Sequence, residues 1–198
     1  MSTTNKIIYS IVLAAALALG FFSFLQMQQP KAQLSNRLGG DFTLPTKDGV
    51  FDLKDYRGKV VVLYFGYSSC PDVCPTALAM LGNNLKKMPE KVVDMIQPVF
   101  ISVDPKRDTL DKLKLYGQYF HPKLIAGSTD KEDIDRIVKQ YGAFYSISEQ
   151  ADSAMGYSVN HSSRLFLINK QGQLAKTINH DDIAKSLTEN LLMLVTQE

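Results

Sequence analysis

The chain has 198 residues, with 22 lysines and arginines, 20 acidic residues and only two cysteines. A chain of this length can bury a core without disulfides, and two cysteines are too few for a disulfide framework. A small protein that is stabilised mainly by disulfides is therefore excluded. The formal net charge is +2 and no basic run stands out, which disfavours nucleic-acid binding. We therefore expect the two cysteines to form a functional pair.

The first thirty residues differ in kind from the rest. The nineteen residues from Ile7 to Leu25 carry no charge, and as a helix they span roughly 28 Å, close to the bilayer core of about 30 Å. Bulky residues at 21–25 stand where a cleaved signal peptide needs small ones, so we favour an uncleaved anchor over a cleaved signal. The sequence therefore predicts a tail at 1–6, a transmembrane signal anchor at 7–25, a polar linker at 26–40 and a domain at 41–198.

The orientation of this anchor is not decided by its flanking charges. Lys6 and the α-amine on one side balance Lys31 and Arg37 on the other, which makes the positive-inside count a tie. The very short leading tail favours a domain outside the cytoplasm. We expect a single-pass protein of a bacterial inner membrane with its domain facing the periplasm.

The domain alternates between strand-like and helical segments, which predicts an α/β sheet. Strands are predicted at 42–45 and 49–53 as a hairpin, then at 59–66, 98–103, 124–127, 164–168 and 174–178. Helices are predicted from Pro75 to about Met88 and at 109–120, 131–145 and 181–195. Residues 146–160 are polar and are predicted to form an irregular, inserted loop before the last core hairpin. Pro98 is placed at the first position of its strand, where a proline is tolerated.

The two cysteines, Cys70 and Cys74, follow the most apolar predicted strand and precede a helix. Orphan N–H groups and the helix dipole at such a position favour thiolate over thiol. Within one helical turn the two Cα atoms would lie roughly 6 Å apart, which allows either a disulfide or the binding of one metal ion. A dithiol after the first core strand predicts a thioredoxin-like fold, although the spacing is C-x-x-x-C rather than the usual C-x-x-C.

The three histidines differ in their surroundings. His121 lies before Pro122 at a helix end and is interpreted as a surface cap residue, and His180 belongs to the turn before the last helix. His161 lies just before a core strand, where a histidine taken alone is more often structural than a metal ligand.

Several other residues near the cysteines have expected roles. Tyr64 and Phe65 are expected to shield the site from beneath, and Asp72 to be a solvated turn residue. Asp108 is a plausible N-cap for the helix that follows it.

Three separate motifs together resemble the SCO/SenC family. They are Tyr64-Phe65-Gly66-Tyr67 with Cys70-Pro71-Asp72-Val73-Cys74-Pro75, then Ser102-Val103-Asp104-Pro105 with Arg107-Asp108-Thr109, and His161-Ser162-Ser163. The resemblance covers about Phe42 to Gly172. It implies a thioredoxin-like fold, a membrane tether and copper handling during the assembly of cytochrome c oxidase. Carried over by position, it makes Cys70, Cys74 and His161 the copper ligands. Asn160 stands where many members have aspartate, which changes the charge beside the histidine.

The same dithiol is consistent with two different functions. The first is a membrane-tethered copper chaperone, which binds and transfers rather than turns over, with a copper-accepting subunit of cytochrome c oxidase as the partner. The second is a thiol–disulfide oxidoreductase that keeps the cysteines of a copper-site partner reduced. His161 separates them, because a pure dithiol reductant has no need of it. A peroxiredoxin-type peroxidase is disfavoured, because the chain lacks a lone reactive cysteine in a Thr/Pro/Arg setting.

Overall fold

The computed structural model describes residues 38–149 and 156–197, which form an α/β domain. The strands are β1 (Thr43–Thr46), β2 (Gly49–Asp52), β3 (Val60–Gly66), β4 (Ile96–Ser102), β5 (Ile125–Gly127), β6 (Tyr145–Glu149), β7 (Tyr157–His161), β8 (Arg164–Ile168) and β9 (Leu174–Asn179). The α-helices are α1 (Val73–Lys87), α2 (Glu90–Val93), α3 (Leu110–Phe120), α4 (Lys131–Gln140) and α5 (Ile183–Thr196). Two short 3-10 turns, Leu53–Tyr56 and His180–Asp182, complete the elements.

Seven strands form one mixed sheet in the order β2-β1-β5-β4-β3-β8-β9. The central strands β3, β4 and β5 are parallel, whereas β1 joins β5, and β8 joins β3, in antiparallel fashion. Strands β6 and β7 form a separate antiparallel pair, the histidine hairpin. The order of the elements confirms the predicted thioredoxin-like α/β fold with an N-terminal hairpin.

Strand β3 occupies the middle of the core because it is apolar on both faces, and all seven of its residues are buried. Successive side chains of a strand point to opposite faces of its sheet. Tyr64 accordingly packs near Phe100, whereas Phe65 packs edge-on against Phe166 and near Tyr141. The expectation that both aromatic residues lie beneath the cysteines is therefore wrong for Phe65.

Strand β4 begins two residues earlier than predicted, so Pro98 lies inside a central strand rather than at its start. Pro98 pairs with Val62 of β3, and the pairing of β4 with β5 begins only at Val99. The Pro98 carbonyl accepts a hydrogen bond from the Gln97 side chain at 3.0 Å instead of from a strand. A proline is tolerated here because no neighbouring strand needs its missing N–H.

Helix α4 is shorter than the predicted helix at 131–145. It ends at Gln140, and Gly142 adopts a positive φ of 65° just beyond it. Glycine takes this left-handed conformation without steric cost. The chain therefore leaves the helix here, and the residues that follow can form a strand. Tyr145 therefore begins β6 instead of closing α4.

The stretch at 146–160 is not irregular where it is described. Residues 145–149 and 157–161 form the histidine hairpin, with Ile147 opposite Val159 and Tyr145 opposite His161. The signal that predicts it is a two-residue alternation of polar and apolar side chains, as in Ser146-Ile147-Ser148. Within the stretch 146–160, only the segment 150–155 lies outside the described residues.

The predicted anchor at 7–25 lies outside the described residues, as does the linker up to residue 37. In the two described ranges, no helix combines the length and the apolar character that a membrane crossing requires. The last linker residues contact the domain, because the Gly39 N–H donates to the Gln140 carbonyl at 2.7 Å.

Candidate metal centre

The cysteine loop, residues 67–72, joins the end of β3 to the start of α1. Cys70 lies in this loop, and Cys74 lies in the first turn of α1. The Cys74 N–H donates to the Cys70 sulfur at 3.5 Å, so an unpaired N–H of the helix start faces that sulfur. At Gly66 an added Cβ would stand 2.8 Å from Cys74 Sγ, which means that the sulfur packs directly on the strand backbone.

Asp108 fixes the cysteine loop from the neighbouring connection between β4 and α3. Its buried carboxylate accepts hydrogen bonds from the Ser68 N–H at 2.8 Å, the Ser68 hydroxyl at 2.5 Å and the Ser102 hydroxyl at 2.6 Å. Lys112 lies 3.2 Å away and balances the charge. Asp108 is therefore not the N-cap of α3, a role that falls to Thr109, whose hydroxyl accepts from the Lys112 N–H.

The histidine hairpin brings His161 to the cysteines. Val159 and His161 share the buried face of β7, as the two-residue period of a strand requires. At the hairpin base, Phe144 N–H donates to the Ser162 hydroxyl at 2.9 Å, and Ser162 N–H donates to the Phe144 carbonyl at 3.0 Å. These bonds fix the end of β7 next to the ligand position.

The side chains of Cys70, Cys74 and His161 converge, and their ligand atoms all lie within 4.8 Å of one another. Cys74 Sγ is 3.0 Å from His161 Nε2. His161 Nδ1 is 3.2 Å from the Ser162 carbonyl, which can only accept, so this contact is a hydrogen bond in the tautomer with the hydrogen on Nδ1, and that tautomer leaves the Nε2 lone pair for a metal ion. The relative exposures are 8%, 0% and 9%, so the three groups are nearly shielded from water.

Two aromatic rings flank the imidazole. The rings of Tyr64 and Tyr67 each stand edge-on to His161, with centroid distances of 5.9 Å. Burial raises the pKa of both phenols, that of Tyr67 to about 12, so both remain neutral. The rings therefore limit the orientation of the imidazole without adding charge to the site.

The two thiols are not equivalent. The pKa of Cys70 is lowered, because its thiolate accepts a hydrogen bond from the Cys74 thiol, and further from backbone N–H groups. The pKa of Cys74 is raised, because its thiol donates that bond and is fully buried. The Cys70 thiol is therefore the more readily ionised of the two, and the Cys74 thiol holds its proton more strongly. Such a pair can act as a nucleophile or as a metal ligand.

A groove of about 490 Å³ gives access to the site from one side. Cys70 and His161 line it, together with Asp72, Phe144 and Asn160. Asp72 is exposed at the start of α1, which confirms the expectation of a solvated turn residue. The side chain of Phe144 is also exposed at the mouth of the groove, so a partner could contact an apolar ring beside the ligands.

The other two histidines lie elsewhere in the fold. His121 does end α3, but it is buried rather than at the surface, and its Nδ1 accepts from the Lys123 N–H at 3.2 Å. His180 lies in the 3-10 turn before α5, as predicted. Neither joins the cluster that Cys70 and Cys74 form with His161.

Comparison with known proteins gives consistent matches along the chain. A family model described as SCO1/SenC matches residues 30–196. The SCO2-like protein of Rickettsia prowazekii is 34% identical over 199 residues, which cover 95% of this chain and 96% of that protein. The solution structure of apo Sco1 from Thermus thermophilus has a TM-score of 0.73 and 32% identity, covering 82% of this chain and 95% of that chain.

A fourth match is the structure of Bradyrhizobium japonicum ScoI with copper bound. It has a TM-score of 0.70 and 30% identity, and the match covers 79% of this chain and 99% of that chain. Both the family model and the rickettsial relative span most of this sequence, and the chain therefore belongs to the SCO1/SenC family.

Proposed function

We propose that this protein is a copper chaperone that binds one copper ion through Cys70, Cys74 and His161 and transfers it to a partner. The observation that carries the proposal is the convergence of three ligand atoms within 4.8 Å of one another. Bonds of about 2.0–2.3 Å to a central metal ion span comparable separations. The copper-bound relative from Bradyrhizobium japonicum supports the choice of cargo.

The donor set fits Cu(I) better than the harder cations. Two thiolates and one neutral imidazole are soft or borderline ligands, whereas magnesium and calcium prefer oxygen. A structural zinc site normally has four protein ligands, and three converge among the residues that the structure describes. The Cys74 proton must leave when the ion binds, so loading releases a proton.

The setting that we propose follows from the sequence. Residues 7–25 would anchor the chain in a bacterial inner membrane, and the domain would face the periplasm. The copper-accepting subunit of cytochrome c oxidase would be the partner, as membership of the family implies. The groove lined by Cys70 and His161 is where such a partner would approach, because it is bordered by two of the three ligand side chains.

A second candidate is a thiol–disulfide oxidoreductase, and the unequal thiols favour it. The Cys70 thiolate would attack a disulfide of the partner, releasing one partner thiolate and forming a mixed disulfide. Cys74 would then lose its proton and attack Cys70 Sγ, so the second partner thiol is released. Cys70 and Cys74 would end as a disulfide and the partner as a dithiol, a two-electron exchange without a further reductant.

Anaerobic titration of the reduced full-length chain with Cu(I), in competition with a chromophoric Cu(I) chelator, tests the proposal. We expect one equivalent to bind tightly, and Cys70→Ser and His161→Ala each to lose that tight binding. His161→Ala should still exchange with oxidised glutathione, because the dithiol remains. His180→Ala is the matched control and should bind copper as the natural sequence does.

Two results would contradict the three-ligand chaperone. Unchanged Cu(I) affinity in His161→Ala would remove the histidine from the site. Failure of the natural sequence to bind Cu(I), with rapid disulfide exchange, would favour the oxidoreductase instead.

A further inference from the structure

Arg107 lies between the two segments that supply the ligands. Its guanidinium carbon stands 3.8 Å from the centroid of the Tyr157 ring, in the histidine hairpin, and 5.4 Å from the Tyr67 ring, in the cysteine loop. Arg107 Nη1 also donates to the Tyr157 carbonyl at 3.2 Å. One side chain therefore contacts both halves of the site, although it binds neither a sulfur nor the imidazole.

Asp104, two residues beyond the end of β4, contacts both Arg107 and Tyr157. Its carboxylate forms an ion pair with Arg107 and accepts a hydrogen bond from the Tyr157 hydroxyl at 2.7 Å. The Asp104 side chain is 1% exposed and that of Arg107 is 19% exposed. We call Asp104, Arg107 and Tyr157 the arginine clamp.

The histidine hairpin needs a support of this kind. An isolated two-stranded hairpin is marginally stable in water, and this one does not join the seven-stranded sheet. Four of the five residues of β6 are exposed. Besides the short chain link from His161 to β8, its position relative to the cysteines therefore depends on side-chain contacts.

Stability alone does not explain the clamp. A buried ion pair is weak evidence for stabilisation, because desolvation of the two charges offsets their attraction. A planar guanidinium stacked on one ring and hydrogen-bonded to a backbone carbonyl does, however, define both distance and angle. These contacts specify geometry more than they add free energy.

The strand period connects the clamp to the ligand. Tyr157 and His161 are four residues apart and lie on the same face of β7, which separates them by roughly 13 Å along the strand. Val159, buried between them, keeps that face against the domain. At the other end, the Tyr67 ring that Arg107 covers stands edge-on to His161.

We propose that the arginine clamp positions His161 for copper binding by holding the histidine hairpin in register with the cysteine loop. This inference rests on the proposed copper site. Arg107 is a positioning residue in it, acting through β7 and through Tyr67.

The test compares variants of the full-length chain by anaerobic Cu(I) competition. Arg107→Gln should lower the Cu(I) affinity about tenfold, in the range usual for residues that orient metal ligands. Tyr157→Phe keeps the stacked ring and loses only the hydroxyl, so we expect a smaller loss. Arg107→Lys keeps the charge without the planar stack and should not restore the affinity. Arg136→Gln, which removes an exposed ion pair with Asp133 on α4, is the control and should leave the affinity unchanged.

A double-mutant cycle with His161→Ala distinguishes positioning from general damage. If Arg107 acts through His161, then Arg107→Gln should change the remaining Cu(I) affinity less than about twofold in the His161→Ala background. A tenfold loss in both backgrounds would overturn the proposal. So would an unchanged affinity in Arg107→Gln and Tyr157→Phe, whatever their melting temperatures.

A metal-free measurement separates this proposal from the proposed function. In the apo protein, long-range ¹H–¹⁵N spectra should show one His161 tautomer with the hydrogen on Nδ1. In Tyr157→Phe and Arg107→Gln the two tautomers should exchange, so that the ¹⁵N chemical shifts of the two His161 ring nitrogens become more alike. Arg136→Gln should leave both shifts unchanged. An unaltered His161 spectrum in both clamp variants would overturn the positioning role even if the protein binds copper. An altered spectrum would support it even if copper binding failed.

Discussion

The cysteine loop and the histidine hairpin supply ligands to the same site but are held in different ways. The loop connects a fully buried central strand to a helix, and Asp108 binds it by accepting two hydrogen bonds from Ser68. A third hydrogen bond, from Ser102, joins the same carboxylate to β4. The hairpin lies outside the main sheet and is mostly exposed along β6. It is attached to the domain by the arginine clamp and by the Tyr145 hydroxyl, which donates to Asp135 on α4.

This difference assigns the two ligand sources different mechanical roles. The sulfurs are fixed by the fold itself, so their spacing is set when the core forms. The imidazole depends on a few polar contacts, which can change without unfolding the core. The proposed chaperone function would benefit from one rigid and one adjustable ligand source, because a chaperone must both hold and release its ion.

The largest effect is expected where the loop is tied to the core. Asp108→Asn places an amide against the donors of Ser68 and Ser102, so a buried network loses acceptors. We expect the free energy of unfolding to fall by about 3 kcal/mol, measured by urea denaturation of the apo protein. Asp111→Asn is the control, because this carboxylate is 70% exposed and pairs only with Lys47. Its loss should change stability by less than about 1 kcal/mol.

Equal stabilities for the two aspartate variants would mean that Asp108 does not tie the loop to the core. The cysteine loop could then not be described as held more rigidly than the histidine hairpin.

A smaller effect is expected at Gly66, where the Cys74 sulfur meets the strand backbone. An added methyl group would stand 2.8 Å from the sulfur and 2.9 Å from Phe100, so Gly66→Ala must displace one of them. We expect a loss of about 1–3 kcal/mol and faster reaction of the thiols with an aromatic disulfide reagent, because Cys74 is pushed from its buried position.

Gly82→Ala on α1 is the matched control for this crowding. Its methyl group would meet the Phe120 carbonyl at 2.5 Å, away from the sulfurs. It should destabilise the domain and leave the thiol reaction unchanged. If the thiols reacted faster in both variants, the faster reaction would come from destabilisation of the whole domain rather than from contact with Cys74.

The sequence was sufficient for the rigid half of the site. The buried strand, the following helix and the placement of the two cysteines all follow from local patterns, namely an apolar β-branched run and a helical stripe. The inclusion of His161 came from a resemblance of motifs, because a single histidine in a polar stretch carries no ligand signal of its own. The structure then brings it within 3.0 Å of Cys74.

The adjustable half was predicted less well, for physical reasons. The hairpin strands are short and mostly polar, so their alternation was weak beside the predicted helix that precedes them. Arg107 and Tyr157 are 50 residues apart, and no local pattern shows that one stacks on the other. Asp108 looked like a helix cap because aspartate before a helix usually is one. Its burial against Ser68, 40 residues away, is a property of the assembled fold.

The smallest effect tests whether the hairpin is independent of the core. Tyr145 donates to Asp135 on α4 at 2.6 Å, in an exposed position, and Tyr145→Phe removes only this bond. Global stability should change by less than about 1 kcal/mol, because the bond competes with water, while hydrogen exchange of amides in β6 and β7 should become faster. Tyr119→Phe, at an exposed position on α3, should alter neither. If hydrogen exchange became faster in the core and in the hairpin together, the two would open as one cooperative unit. His161 could then leave the sulfurs only when the whole domain opens, and the adjustable ligand would have to be sought in the cysteine loop instead.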